Sequence, residues 1–233
     1  MGLFQLKSGS ESQLAPFSRW AQPAVQGDPV GVVDIGSNSV RLIVYDGTHR
    51  APTPIFNEKV LCGLGKSVAS TGHLGDEAID RAVAALTRFR AIARTIGVVY
   101  LKAVATAAVR DAKDGPDFVD RAEHALSAPI EILSGKREAE LAAQGIFLGF
   151  PSPEGIAGDL GGGSLELIRI KSGRLSNAAT LPVGVLRLAD VSGGKASKAA
   201  TIVREGWQDH LFDDLVDLGQ DRIAIFFNAC FFF

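Results

Sequence analysis

Cysteine is almost missing from this chain. Cys62 and Cys230 are the two among 233 residues, and their separation offers neither a disulfide framework nor the paired spacing of a zinc site. Histidine is as sparse: His49, His73, His124 and His210 are scattered, so a zinc site built on histidine is not expected either. An excess of charge of one sign is also absent. Lysine and arginine number 24 against 26 acidic residues, a net charge of −2, so no overall basic field points to DNA, RNA or an anionic membrane, and only a local basic cleft is left open. No run reaches the roughly 18 apolar residues of a membrane span. The opening stretch, MGLFQLKSGSESQLAPFSRWAQPAVQGDP, has no basic segment leading into an apolar core, so it is not expected to be a secretory leader. We read residues 1–29 as a flexible tail. Its first residues, MGLFQLKS, have the outline of a myristoylation site at Gly2, a short pattern that is common by chance. These absences together describe a reduced, cytoplasmic, globular chain.

What is present is apolar: 46% of residues are hydrophobic and 21% charged, enough for one large domain or two modest ones. Strand-like runs at 30–35 and 39–45 flank Gly36, Ser37 and Asn38, a hairpin pattern, and residues 54–65 can supply a third strand. Helical spacing of Ile79, Val83, Leu86, Ile92 and Ile96 predicts a helix that Gly97 closes. A buried-looking strand follows at 98–105, then a short helical stretch near TAAVRDAKDG and a helix opened by Pro116. Residues 130–133 read as a strand, and SGKREAELAAQGIFLGF as a helix. After residue 150 the opening pattern returns: strand, glycine turn at 161–163, and paired strands to about Leu181. Strands followed by helices in both halves indicate an α/β protein of two related lobes, 30–150 and 151–233. Further on, VREGWQDHLFDDLVDLG suits a helix and DRIAIFF a strand. The terminal NACFFF leaves bare aromatics with nothing to pack on, so a fragment or an altered C-terminus is expected.

The two glycine turns are the informative feature. DIGSNS at 34–39 and DLGGGS at 159–164 share an order of acid, apolar residue, glycine and small polar residues. Glycine lacks a Cβ and tolerates positive φ, so successive backbone N–H groups can converge on one phosphate. Serine and asparagine add short donors, and an Asp ending the preceding strand can help hold Mg²⁺ directly or through water. One such turn alone is more plainly an ordinary tight hairpin; two copies about 125 residues apart favour a grip on a phosphate chain from both sides.

DIGSNSVRLIVYD, ATAAVRDAKDG, EILSGKREAELA and DLGGGSLELI, taken together and in this order, resemble the exopolyphosphatase and guanosine-pentaphosphate phosphatase (Ppx/GppA) family from about residue 30 to about 220. The resemblance implies an actin-like, ribonuclease H-like two-lobe fold, shared with sugar kinases and Hsp70, with the second lobe incomplete. It implies that Glu138 activates the attacking water and that Arg110 contacts a phosphoryl oxygen. Gly36, Ser37, Asn38, Gly161, Gly162, Gly163 and Ser164 would cradle phosphate, and Asp34, Asp159 and Glu166 would position Mg²⁺ and phosphate. Read as bare residues, Glu138 could equally be a solvated helix acid, Glu166 an outward strand residue and Arg110 a surface arginine.

The activity implied is Mg²⁺-dependent release of terminal phosphate from inorganic polyphosphate or pppGpp, with Lys66, Arg110, Lys113 and Arg187 as a basic groove for the polyanion. A catalytically inactive remnant that binds a phosphate chain or nucleotide is the alternative, and a sugar or acetate kinase of the same superfold a weaker third. No DNA, RNA or membrane partner is expected; the apolar surface of a shortened lobe would suit a homodimer. Two departures from the family stand out: Arg137 where an acid is common, and the missing glycine-rich strand–turn–helix after IAIFF. GLGKS at 63–67 ends like a P-loop, but Val60 stands where the first glycine is required, so a loop near the cleft is expected there.

Overall fold

A computed structural model describes residues 27–49, 51–150, 152–208 and 223–227. Residues 1–26 of the expected tail with the Gly2 pattern, His210 and the terminal aromatic run with Cys230 lie outside the described residues. In chain order the elements are β1 (Val30–Ile35), β2 (Ser39–Tyr45), β3 (Pro54–Leu61), α1 (Val68–Thr71), α2 (Asp76–Ile96), β4 (Tyr100–Ala105), α3 (Ala107–Asp111), α4 (Gly115–Leu126), β5 (Ile130–Ile132) and α5 (Gly135–Gly149). The second half holds β6 (Gly155–Leu160), β7 (Leu165–Lys171), β8 (Arg174–Leu181), α6 (Val185–Ser192), α7 (Ala196–Gln208) and β9 (Ile223–Phe227).

Two sheets repeat one topology. The first has the order β3-β2-β1-β4-β5, with β1, β2 and β3 forming an antiparallel meander and β4 and β5 running parallel to β1. The second has the order β8-β7-β6-β9, again an antiparallel meander followed by a strand parallel to its first member. A strand that returns parallel needs a crossover, and the helices between β3 and β4 supply it. The central strands show why the sequence commits to this: VGVVDI is buried throughout except at Asp34, the signature of a strand covered on both faces. By contrast β3 has no buried residue and alternates in exposure, as an edge strand does.

The first core lies under α2 and α4. Ile79, Leu86 and Phe89 of α2 and Phe118 and Leu126 of α4 pack on Val33, Ile35, Leu42 and Val44; each such side chain stabilises by roughly 1.5–3 kcal/mol. Gly97 ends α2 at φ 85°, donating its N–H to Ala93 and Arg94 carbonyls, and Pro116 sits in the first turn of α4. Just before the division expected near residue 150, α5 packs on both sheets. Its small face, Ala139, Ala142, Ala143 and Ile146, packs on Ala157, Ile168 and Ile170 of the second sheet, while Leu141 packs on Val104 and Leu133 of the first. At its start a Cβ on Gly135 would stand 2.4 Å from Thr180 Oγ1 of β8, so the helix N-terminus is pressed against the second sheet. α5 thereby carries the residues of its first turn into the space between the sheets.

Candidate active site

The tip of each hairpin is closed in the same way. Gly36 N–H donates to the Ser39 carbonyl at 3.0 Å, and Gly161 N–H to the Ser164 carbonyl at 2.9 Å. Among the described residues, the next two amides of each turn, Ser37 with Asn38 and Gly162 with Gly163, donate to no other group. Four N–H groups without internal acceptors at facing tips can receive an anion. One part of the expected reason for the glycines, a positive φ, is not met. Neither Gly36 nor Gly161, Gly162 or Gly163 has a left-handed φ. The glycines of the second turn serve close approach: a Cβ on Gly163 would lie 2.6 Å from Ala107 Cβ and 2.7 Å from Ser37 Oγ, and one on Gly162 would lie 3.0 Å from Ser37 Cβ. Ser37 of the first turn is seated in the hollow that Gly162 and Gly163 leave.

Around these tips lies a cleft of about 120 Å³ lined by Asp34, Gly36, Ser37, Asn38, Thr106, Glu138, Asp159, Gly161–Gly163, Ser164 and Glu166, among others. The sequence candidates are thus gathered in one place, apart from Arg110. Asp34 ends β1 opposite Arg41 of β2, and Asp159 ends β6 opposite Glu166 of β7. Glu138, 8% exposed, arrives from the first turn of α5, whose N-cap Ser134 accepts the Arg137 N–H at 3.2 Å. Arg137 itself turns away and pairs with Glu140 at 3.1 Å. Arg110 is not part of the lining. Its Nη1 donates to Glu138 Oε2 at 3.0 Å and to the Leu133 carbonyl at 2.9 Å, so the arginine expected on phosphate is held on the carboxylate instead.

Four carboxylates with no lysine or arginine in the lining make the cleft acidic. Burial, reinforced by Glu138 and Asp159, pushes Asp34 up to about 7 against the opposing pull of Arg41 and Lys59. Burial also pushes Glu166 up to about 8, with Glu138 and Asp159 adding to the rise and a hydrogen bond from Ser164 resisting it. Glu138 is raised as well, again chiefly by burial, although Arg110 holds it down. Asp34 Oδ1 and Glu166 Oε1 are buried with no hydrogen-bond partner. Such orphaned oxygens cost free energy unless a proton or a cation satisfies them.

The donor set therefore fits a divalent, oxygen-loving cation. Among the described residues no three acidic, histidine or cysteine side chains stand close enough to enclose a metal by themselves.

The expected basic groove is not at this cleft. Lys66 is exposed and lies over Gly63, and Lys113 is exposed beside Gly72. Arg187 pairs with Asp111 at 3.1 Å. The GLGKS loop does lie beside the first turn, as Cys62 and Gly63 N–H groups donate to the Asn38 carbonyl and Gly65 N–H to that of Ser37. Sequence reasoning missed Thr106. It stands at the N-cap position of α3, yet its side chain caps nothing there and lines the cleft. The signal was a threonine directly after an apolar strand, in the same block as Arg110.

The chain matches the model of the Ppx/GppA phosphatase family over residues 42–193. It is 32% identical over 163 residues to exopolyphosphatase 1 of Mycobacterium tuberculosis, which is 68% of this chain and 47% of that protein. An exopolyphosphatase from Cytophaga hutchinsonii superposes with a TM-score of 0.66 at 33% identity, over 70% of this chain and 53% of that one. The Ppx/GppA family member of Aquifex aeolicus gives a TM-score of 0.62 at 27% identity, over 76% and 58%. The chain spans about half the length of the curated relatives it matches.

Proposed function

The chain belongs to the Ppx/GppA phosphatase family and shares its actin-like two-lobe α/β fold, and from that premise we propose that it is a Mg²⁺-dependent hydrolase of terminal phosphoanhydrides, acting on inorganic polyphosphate or pppGpp. One observation carries this reading. Four buried or half-buried carboxylates surround two turns of unspent amides, and two of the carboxylate oxygens lack any partner. A polyanion cannot approach that set alone, but a polyanion with a divalent cation completes it.

Asp34, Asp159 and Glu166 would hold Mg²⁺ directly or through its waters, and the ion would supply neutralisation of phosphate charge when bound. The amides of Ser37, Asn38, Gly162 and Gly163 and the hydroxyls of Ser37 and Thr106 then hold phosphoryl oxygens. Glu138 holds the attacking water by accepting its hydrogen bond in line with the terminal phosphorus, and the rise of its pKa above the ordinary carboxylate range makes it a stronger base toward that water. Arg110 keeps that carboxylate in place.

The test is orthophosphate release from long-chain polyphosphate with Mg²⁺, for the chain beside Glu138→Gln. We expect turnover to fall by roughly 100-fold or more in the variant with polyphosphate binding retained; equal turnover in both removes Glu138 from the mechanism. Binding without release from either protein would make the chain a phosphate-chain binder.

A further inference from the structure

Asp111 is the residue that the function above leaves unused. Its two carboxylate oxygens face two guanidinium groups: Oδ1 lies 3.4 Å from Arg110 Nε, and Oδ2 lies 3.1 Å from Arg187 Nη1. The first arginine is on α3 and carries Glu138 on its other edge at 3.0 Å. The second is on α6, whose first residue, Val185, lines the cleft. The backbone of α6 is in turn fastened to the second glycine turn. Val185 N–H donates to the Gly161 carbonyl at 3.1 Å, and the N–H groups of Leu186 and Arg187 donate to that of Gly162 at 2.9 and 3.1 Å. A continuous chain of contacts therefore runs from Gly162 through Arg187, Asp111 and Arg110 to Glu138.

Stability does not explain the chain. Asp111 and Arg187 side chains are 37% and 31% exposed, and ion pairs so placed contribute about 0–1 kcal/mol. Their geometry does something that their energy does not. Arg110 presents Nη1 to Glu138 and the Leu133 carbonyl and its Nε to Asp111, so Asp111 adds an anchor on a second edge of the guanidinium and constrains its plane. Ser70 N–H bonded to Asp190 Oδ2 at 3.0 Å is a second tie between the same helix, α6, and α1 of the other half.

We propose that Asp111 is a positioning residue: by bridging Arg110 to Arg187 it sets the orientation of Glu138 from the second phosphate turn, so the water-holding carboxylate is aligned only while the two halves are closed on each other. This rests on the reading of Glu138 given above. It also reassigns Arg187, which would otherwise be a cation for the polyanion.

The experiment uses the whole chain and two readouts. The first is the Arg110 Nε–Hε resonance in an NMR spectrum of the arginine side chains, assigned by its loss in Arg110→Lys. It is expected to shift in Asp111→Asn and also in Arg187→Gln, which does not touch Arg110. A resonance unmoved by Arg187→Gln overturns the link, whether or not the chain turns over phosphate. The second is polyphosphate hydrolysis. Asp111→Asn and Arg187→Gln should each lower kcat by roughly tenfold with KM changed less than about twofold, the double variant should be no worse than the worse single, and Asp111→Glu should recover part of the loss. A rise in KM at constant kcat for Arg187→Gln, or additive losses in the double variant, overturns the proposal in favour of a substrate-binding cation. Undiminished turnover in Glu138→Gln would instead defeat the reading of Glu138 and leave the arginine signal standing.

Discussion

The two hairpins that face each other across the cleft are built on one plan and charged in opposite ways. In the first, Asp34 stands opposite Arg41, which stands opposite Lys59 on β3. In the second, Asp159 stands opposite Glu166, which stands opposite Thr180 on β8. The matching cross-strand position is thus a cation in one half and an acid in the other. The tips differ in the same complementary sense: Ser37 projects from the first, and Gly162 and Gly163 receive it in the second. A duplicated element has been divided into a half that sets a cation beside its carboxylate across the strands and a half that sets a second carboxylate there. Burial raises both Asp34 and Glu166, and Arg41 and Lys59 lower Asp34 where Glu138 and Asp159 add to the rise of Glu166.

Glu166→Gln should break the asymmetry most strongly. It keeps the buried shape and removes the charge, and we expect the Mg²⁺ concentration for half-maximal phosphate release to rise by roughly 10- to 100-fold. A magnesium titration of the rate checks this, and an unchanged midpoint would mean that Glu166 serves the fold alone. Gly163→Ala is next. Its methyl group would press on Ala107 and Ser37, and overpacking of this kind costs about 1–3 kcal/mol, whereas Gly36→Ala meets only the Ser39 carbonyl at 3.3 Å and should cost less. Urea unfolding of the two variants compares the tips directly; equal losses would remove the knob-and-hollow account.

The pH dependence of stability sharpens the contrast further. Asp34 and Glu166 are acids with folded pKa values raised above the ordinary range, so their contribution is fully present below about pH 4 and is lost as pH rises through about 7 and about 8. Without divalent cation the melting temperature should therefore fall between pH 5 and 8, and Glu166→Gln should flatten the upper part of that fall. Added Mg²⁺ should restore the wild-type value at pH 8; a flat wild-type profile would contradict the buried charge. Arg41→Gln is the smallest effect. It removes one of the two cations that lower Asp34, and the Mg²⁺ midpoint should move by less than roughly threefold.

Much of this was legible because apolar periodicity and turn residues report local structure. The hairpins at Gly36 and Gly161, the helix closed by Gly97 and the repeated strand pattern needed no tertiary information. α6 was not legible: it is only eight residues long after Pro182 and Gly184, and it is fixed by amides that bond the Gly161 and Gly162 carbonyls. The dual allegiance of α5 was hidden for a similar reason, since an alanine-rich face does not say which sheet it will meet. At the site, the residue types were visible but their partners were not. Nothing in ATAAVRDA tells that Arg110 reaches Glu138, or that Asp111 reaches Arg187, because those partners lie 28 and 76 residues away. The glycine run was assigned to phosphate alone, whereas packing of Ser37 against it is a contact between distant segments.

The most direct test of the account is hydrolysis of Mg²⁺-polyphosphate in ¹⁸O-labelled water, with the released orthophosphate weighed by mass spectrometry. Attack of water on the terminal phosphorus predicts one solvent oxygen in each orthophosphate released, at a rate that collapses in Glu138→Gln. Orthophosphate released without label, or labelled at the same rate by the variant, would contradict a site in which Glu138 holds the attacking water.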